Sequence, residues 1–153
     1  MVEGRILVVE DEHIVAMGIQ MMLKNLGCTV TGVASSGKEA ISKAESTLPD
    51  LVLMDIMLKG DLDGIEASKE IITRFDIPVV YLTGSDHRIL EQIWNKESEY
   101  LAKPFDETDL EKVIDLVLRR RRLEKRENKR SSRDLKKHLE SSESFRSLSL
   151  SDG

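Results

Sequence analysis

Arg5-Ile6-Leu7-Val8-Val9-Glu10-Asp11 sets the architecture of this chain. A short, nearly continuous apolar run has the pattern of a strand covered on both faces, and two adjacent carboxylates end it. The same arrangement recurs. Leu51-Val52-Leu53-Met54 runs into Asp55, Val79-Val80-Tyr81-Leu82 into Thr83, and Tyr100-Leu101-Ala102 into Lys103-Pro104. Cys28–Ala34 is β-rich and supplies the remaining strand. Helical segments fall between them. His13–Leu26 is followed by Gly27 at the position of a helix C′ residue. Ser36-Gly37-Lys38-Glu39 is a capping-box pattern that opens a helix to about Thr47. Further helices are predicted over Gly64–Arg74 and Asp86–Asn95. A last one, capped by Asp106, places Leu110, Val113, Ile114, Val117 and Leu118 at helical spacing. Five strand–helix units predict a doubly wound α/β fold, a five-stranded parallel sheet with helices on both faces.

Working outward, the 153 residues divide by charge. Residues 1–118 hold 22 acidic and 11 basic side chains, a net of −11, whereas residues 119–153 hold 12 basic and 6 acidic, a net of +6. We therefore expect one domain over residues 4–118. A basic helical extension would follow from Arg119 and fray into a serine-rich, disordered end over 119–153. No apolar run approaches the ~18 residues of a membrane span, and the first residues lack a signal-peptide layout. The single cysteine, Cys28, excludes an intrachain disulfide and a cysteine-cluster zinc site. A cytoplasmic protein is the expectation, with Cys28 a buried strand residue.

Ligands of doubly wound sheets sit beyond the carboxyl ends of the strands. There the fold would gather Glu10, Asp11, Asp55, Thr83 and Lys103. Three packed carboxylates repel unless a cation neutralises them. Oxygen-only donors suit a hard divalent ion, and Mg²⁺ binds through one or two carboxylates plus a phosphate. A lysine and a hydroxyl beside them would hold phosphoryl oxygens.

Glu10-Asp11, Asp55, Thr83-Gly84 and Tyr100-Leu101-Ala102-Lys103-Pro104-Phe105, in this order and spacing, resemble the receiver domain of two-component response regulators, a flavodoxin-like (βα)5 fold. The resemblance covers roughly residues 4–118. It implies that Asp55 accepts a phosphoryl group from a phosphohistidine on a sensor histidine kinase or phosphotransfer protein. It further implies that Mg²⁺ is held by Glu10, Asp11, Asp55 and the backbone carbonyl of Met57. Thr83 and Lys103 would contact the phosphoryl group, and Tyr100 would be an aromatic switch that turns inward. Such a protein helps catalyse its own phosphorylation and dephosphorylation but turns over no separate substrate, and its output is contact with a downstream protein. Two features depart from the family pattern. No proline stands four residues after Asp55, in a loop that is one residue longer than usual. Met57 cannot hydrogen-bond an attacking water with its side chain, which predicts slow loss of the phosphoryl group.

Other readings of the same residues carry less. Gly32-Val33-Ala34-Ser35-Ser36-Gly37-Lys38 fits a phosphate-binding loop, but Glu39 stands where Ser or Thr is needed, and a helix-capping turn is the better account. His13, His87 and His138 show no ligand spacing. A dehalogenase-type phosphatase would want an Asp where Met57 stands, and a flavodoxin a hydroxyl-rich loop where Glu10-Asp11-Glu12-His13 stands. Helix one is apolar around more than one face, so part of it is core and an exposed remnant could dock a kinase or phosphotransfer helix. The basic tail has almost no aromatic residue and no recognition-helix pattern, so sequence-specific DNA binding is not expected and phosphate contacts would be nonspecific. The last helix and its extension could pair two chains. Leu139–Leu148 resembles the segment that often opens a PAS sensor domain, in which case the chain would be the front part of a longer signalling protein.

Overall fold

The computed structural model describes residues 2–58, 64–84 and 99–151, with the backbone alone for 141–151. The helix predicted over Asp86–Asn95, His87, and the loop of residues 59–63 lie outside the described residues. Five strands form one parallel sheet: β1 (Arg5–Val9), β2 (Thr29–Ala34), β3 (Leu51–Asp55), β4 (Val79–Thr83) and β5 (Glu99–Ala102), in the order β2-β1-β3-β4-β5. The described helices are α1 (His13–Asn25), α2 (Gly37–Thr47), α3 (Gly64–Phe75) and α4 (Glu107–Ser151).

Period-two alternation sorts the strand residues into two cores. Ile6, Val8, Leu51, Leu53, Val80 and Leu82 face α1 and the first turns of α4, where Ile19, Leu23, Leu110, Ile114 and Leu118 are buried. Leu7, Val9, Val52, Met54, Val79 and Tyr81 face α2 and α3, whose small Ala40, Ala44 and Ala67 let those helices lie close to the sheet. Burial on both faces is why the strands read as continuous apolar runs. β2 lies on one side of β1 and β3 on the other. The crevice where the chain changes direction therefore opens at the ends of β1 and β3, beside Glu10 and Asp55.

Local signals hold the element boundaries. Gly27 has φ 89°, and the bonds from Gly27 N to Lys24 O (3.1 Å) and from Cys28 N to Leu23 O (2.9 Å) close α1 in a Schellman motif. Cys28 is buried as expected, but it sits in this turn and not in the strand, its thiol donating to the Val2 carbonyl at 3.0 Å. The requirement for a left-handed Gly27 postpones the strand by one residue. Ser36 caps α2 by accepting from Glu39 N at 3.2 Å. The reciprocal half of the predicted capping box is shifted: the Glu39 carboxylate takes the Ser35 N–H at 3.1 Å, not that of Ser36. A carboxylate thus occupies the α2 N-terminus, which disposes of the phosphate-loop look-alike. At the other end of α2, the Arg5 guanidinium donates to the Leu48 and Thr47 carbonyls at 2.9 and 2.7 Å. Asp106 caps α4 as read, accepting from Asp109 N at 2.8 Å while Asp109 returns a bond to Asp106 N.

The chain divides into two compact units, residues 1–118 and 119–153. The second is helical to Ser151. Its many Arg, Lys, Glu and Leu residues are strong helix formers. Among the described residues no helix is long and apolar enough to cross a membrane.

Candidate functional site

Each candidate side chain stands at the end of a strand or within two residues of it. Glu10 and Asp11 follow β1, Asp55 ends β3, Thr83 ends β4, and Lys103 follows β5. Backbone bonds lock these ends together. Ile56 N donates to Leu82 O at 3.2 Å, and Lys103 N donates to Thr83 O at 2.7 Å, so β4 ties the Asp55 loop to the lysine. The Lys103–Pro104 peptide is cis.

Glu10, Asp55 and Thr83 are buried and Asp11 is half-buried. Each of Glu10, Asp11 and Asp55 offers an oxygen, and the three lie within 4.8 Å of one another. The Lys103 Nζ stands 3.0 Å from Glu10 Oε2 and 3.4 Å from Asp55 Oδ2. The second Asp55 oxygen, Oδ1, accepts from Met57 N at 3.0 Å, and Glu10 Oε1 accepts from Glu12 N at 3.4 Å. The Met57 side chain is largely exposed.

The electrostatics follow from this crowding. Burial, and then the Asp55 carboxylate beside it, push Glu10 up to about 7 from an ordinary 4.5, against the opposing pull of Lys103. Burial works against the Lys103 ammonium, but its bond to Glu10 and the nearby Asp55 outweigh that cost and raise its pKa. The lysine is therefore a permanent cation between two carboxylates, and it does not cancel the excess negative charge. A divalent ion fits this donor set, which is all oxygen and short of positive charge. The Thr83 Oγ1 is buried and finds no hydrogen-bond partner among the described residues. A buried hydroxyl in that condition marks a place for an oxygen ligand.

The strand-end residues named from the sequence are thus brought together, with Tyr100 on β5 about half exposed and paired across the ladder with Tyr81. One positioning residue was not legible. A Cβ on Gly64, the first residue of α3, would stand 2.1 Å from the Asp55 carbonyl oxygen, so α3 reaches the back of the Asp55 turn only because that position is bare. Nothing in the linear pattern marks this contact. The buried hydroxyls of Ser68 and Tyr81 meet at 2.7 Å, a pairing of α3 with β4 that the linear pattern does not mark either.

Residues 6–115 match the model of the response regulator receiver domain. The chain belongs to this family. Among relatives, the phyllosphere-induced regulator PhyR of Methylorubrum extorquens is 34% identical over 114 residues, 74% of this chain and 43% of that protein. The transcriptional regulatory protein PdtaR of Mycobacterium tuberculosis is 37% identical over 121 residues, 78% of this chain and 58% of that one. The chain thus spans about half the length of these two curated relatives. The signal receiver domain of a modulated diguanylate cyclase from Desulfovibrio desulfuricans superposes with a TM-score of 0.75 at 32% identity, covering 80% of this chain and 99% of that one. Receiver domains act in two-component signalling, and phosphorylation and Mg²⁺ binding at an acidic cluster are general features of the family.

Proposed function

We propose that this receiver is switched by phosphorylation of Asp55 and that the donor is a phosphohistidine on a sensor histidine kinase or phosphotransfer protein. One observation carries the reading. At the strand ends where Lys103 already bridges Glu10 and Asp55, the buried Thr83 hydroxyl lacks a partner among the described residues. Leaving such a group unsatisfied costs ~1–3 kcal/mol, and a phosphoryl oxygen on Asp55 would relieve it. In the transfer, an Asp55 carboxylate oxygen bonds to phosphorus as the P–N bond breaks. The bonding pair returns to the imidazole nitrogen, which takes up a proton. Met57 N, on Oδ1, fixes the plane of the attacking carboxylate. Lys103, cationic throughout, offers its charge to the incoming oxygens. Glu10, Asp11, Asp55 and the Met57 backbone carbonyl would hold Mg²⁺, which when bound offsets the charge of the carboxylates and of the phosphoryl oxygens.

Phosphorylation replaces the single charge of the Asp55 carboxylate by the roughly −1.5 to −2 of a phosphoryl group and places new acceptors beside Thr83. The Thr83 hydroxyl turns toward them, and the Tyr100 ring, half exposed on β5, turns inward into the space released. Ile14, Met17 and Met21 form an exposed apolar stripe along α1, which starts two residues beyond Asp11, and it suits the apolar face of a helix from the phosphodonor. Output would be contact with a downstream protein, or with a second copy of this chain, through the face near Thr83, Tyr100 and the last helix. No separate substrate is turned over.

The test is intact mass after incubation with Mg²⁺ and acetyl phosphate, beside Asp55→Asn. A single Mg²⁺-dependent phosphoryl adduct, absent in the variant, is the expected result. An adduct that persists in Asp55→Asn would refute the assignment of the acceptor.

A further inference from the structure

Beyond the receiver chemistry, α4 carries a one-sided charge distribution. From Arg122 to Glu140 every residue is exposed. Arg122, Arg126, Lys129, Arg133, Lys136 and Lys137 succeed one another at intervals of three or four residues, with Lys137 beside Lys136. At ~100° per residue they share an arc of about 100°, and at ~1.5 Å per residue the stripe is about 22 Å long. Of the acidic residues of the same stretch, Glu124, Glu127 and Asp134 fall outside that arc, whereas Glu140 falls inside it and ends the stripe just past Lys137. On the far side, Arg121 Nη1 lies 3.5 Å from Glu124 Oε2. A solvated helix stabilised by its own ion pairs alternates signs along each face. From Arg122 to Lys137 this one separates them.

We propose that this face binds the phosphate backbone of duplex DNA without base-sequence preference. Charge complementarity selects a polyanion, and three further observations select which one. An interfacial membrane helix needs a broad apolar face opposite its basic one, whereas here that side carries Glu124 and Glu127 with Leu123, Leu135 and Leu139 dispersed. Single strands are held by stacking on aromatic rings, and residues 119–140 contain no Phe, Tyr or Trp. The B-form major groove admits an α-helix, while that of A-form RNA is too narrow to be entered. The acidic body, net −11 over residues 1–118, opposes association, so binding rests on the stripe and is steeply salt-dependent.

The test is fluorescence anisotropy of the full chain with a labelled duplex of arbitrary sequence, ~20 base pairs long, between ~50 and ~200 mM salt. The logarithm of the binding constant should fall against that of salt with a slope of about −3 to −5, a loss on the order of 10²–10³-fold across that range. The triple variant Arg126→Gln, Lys129→Gln, Arg133→Gln should reduce the slope by about 2 to 3 and weaken binding at least ~10-fold. Glutamine nearly matches lysine and arginine in helix propensity, and far-UV circular dichroism checks that the helix persists. Should it be lost, Arg122→Gln, Lys136→Gln, Lys137→Gln tests the same face. Asn128→Glu, Ser131→Glu, His138→Glu lowers the net charge equally on the opposite face and should have a much smaller effect. Equal effects of the two triples would overturn the proposal, as would a flat salt dependence. Tighter binding to the single strand, or to vesicles of anionic phospholipid, would overturn it too.

Discussion

Replacing Glu10 by glutamine removes a charge that Lys103 holds at 3.0 Å, and yet it should stabilise the metal-free protein at neutral pH. Glu10 is 2% exposed, and its carboxyl titrates at about 7 where an unburied one titrates at 4.5. The native state therefore holds that proton more tightly than the unfolded chain. Stability is greatest below pH 4.5, falls as pH rises through the interval to 7, and stays reduced above it. At ~1.4 kcal/mol per pH unit, the separation corresponds to a penalty on the order of 3 kcal/mol for ionising Glu10 in place. Glutamine keeps the shape and an acceptor for Lys103 and carries no charge, so a gain of about 2 kcal/mol is expected at pH 7. For a domain of this size that is roughly 6–10 °C in Tm. The assay is thermal unfolding by far-UV circular dichroism in EDTA, at pH 7 and again at pH 4.5. The two proteins should differ at pH 7 and converge at pH 4.5. Added Mg²⁺ should raise the wild type more than the variant, because the ion relieves a penalty that only the wild type carries. A Glu10→Gln protein that melts lower than wild type in EDTA at pH 7 would refute the reasoning, since the Lys103 bond would then outweigh burial and the Asp55 repulsion.

Three further outcomes are expected. Gly64→Ala drives a methyl into the Asp55 carbonyl, a neighbour that cannot rotate away, and should cost about 2–3 kcal/mol in urea unfolding; an unchanged midpoint would show that α3 shifts freely. Glu39, brought down to about 2 by its bonds to Lys43 and to Ser35 N, contributes stability above pH 4.5 that is lost as pH falls toward 2. Its side chain is 39% exposed, so solvent screening limits the contribution, and Glu39→Gln should cost ~0.5–1 kcal/mol at pH 7 and nothing near pH 2, as unfolding midpoints at the two pH values would show. Because Met57 offers no side-chain hydrogen bond to an attacking water, phosphorylated Asp55 should last minutes or longer, and Met57→Asn should shorten that lifetime; decay within seconds in the wild type would remove the basis of the expectation.

Local order was already written in the chain. The apolar runs of β1, β3 and β4, the Gly27 stop and the Asp106 cap act over a few residues, so their signals survive in one dimension. Once the strands were recognised as parallel, Glu10, Asp11, Asp55, Thr83 and Lys103 had to meet at one edge, because parallel strands end on the same side. Distance and energy within that edge were decided elsewhere. Lys103 sits closer to Glu10 than to Asp55, Glu10 titrates near neutrality, and Thr83 lacks a partner among the described residues. Each of these depends on how far water is excluded by segments distant in the chain. Gly64 makes the same point by what it lacks. A missing Cβ leaves no periodicity to read, and only the approach of α3 to the Asp55 carbonyl shows why that position is bare. Pattern along a chain specifies face and end, while through-space packing sets the separations on which charge, hydrogen bonding and therefore chemistry depend.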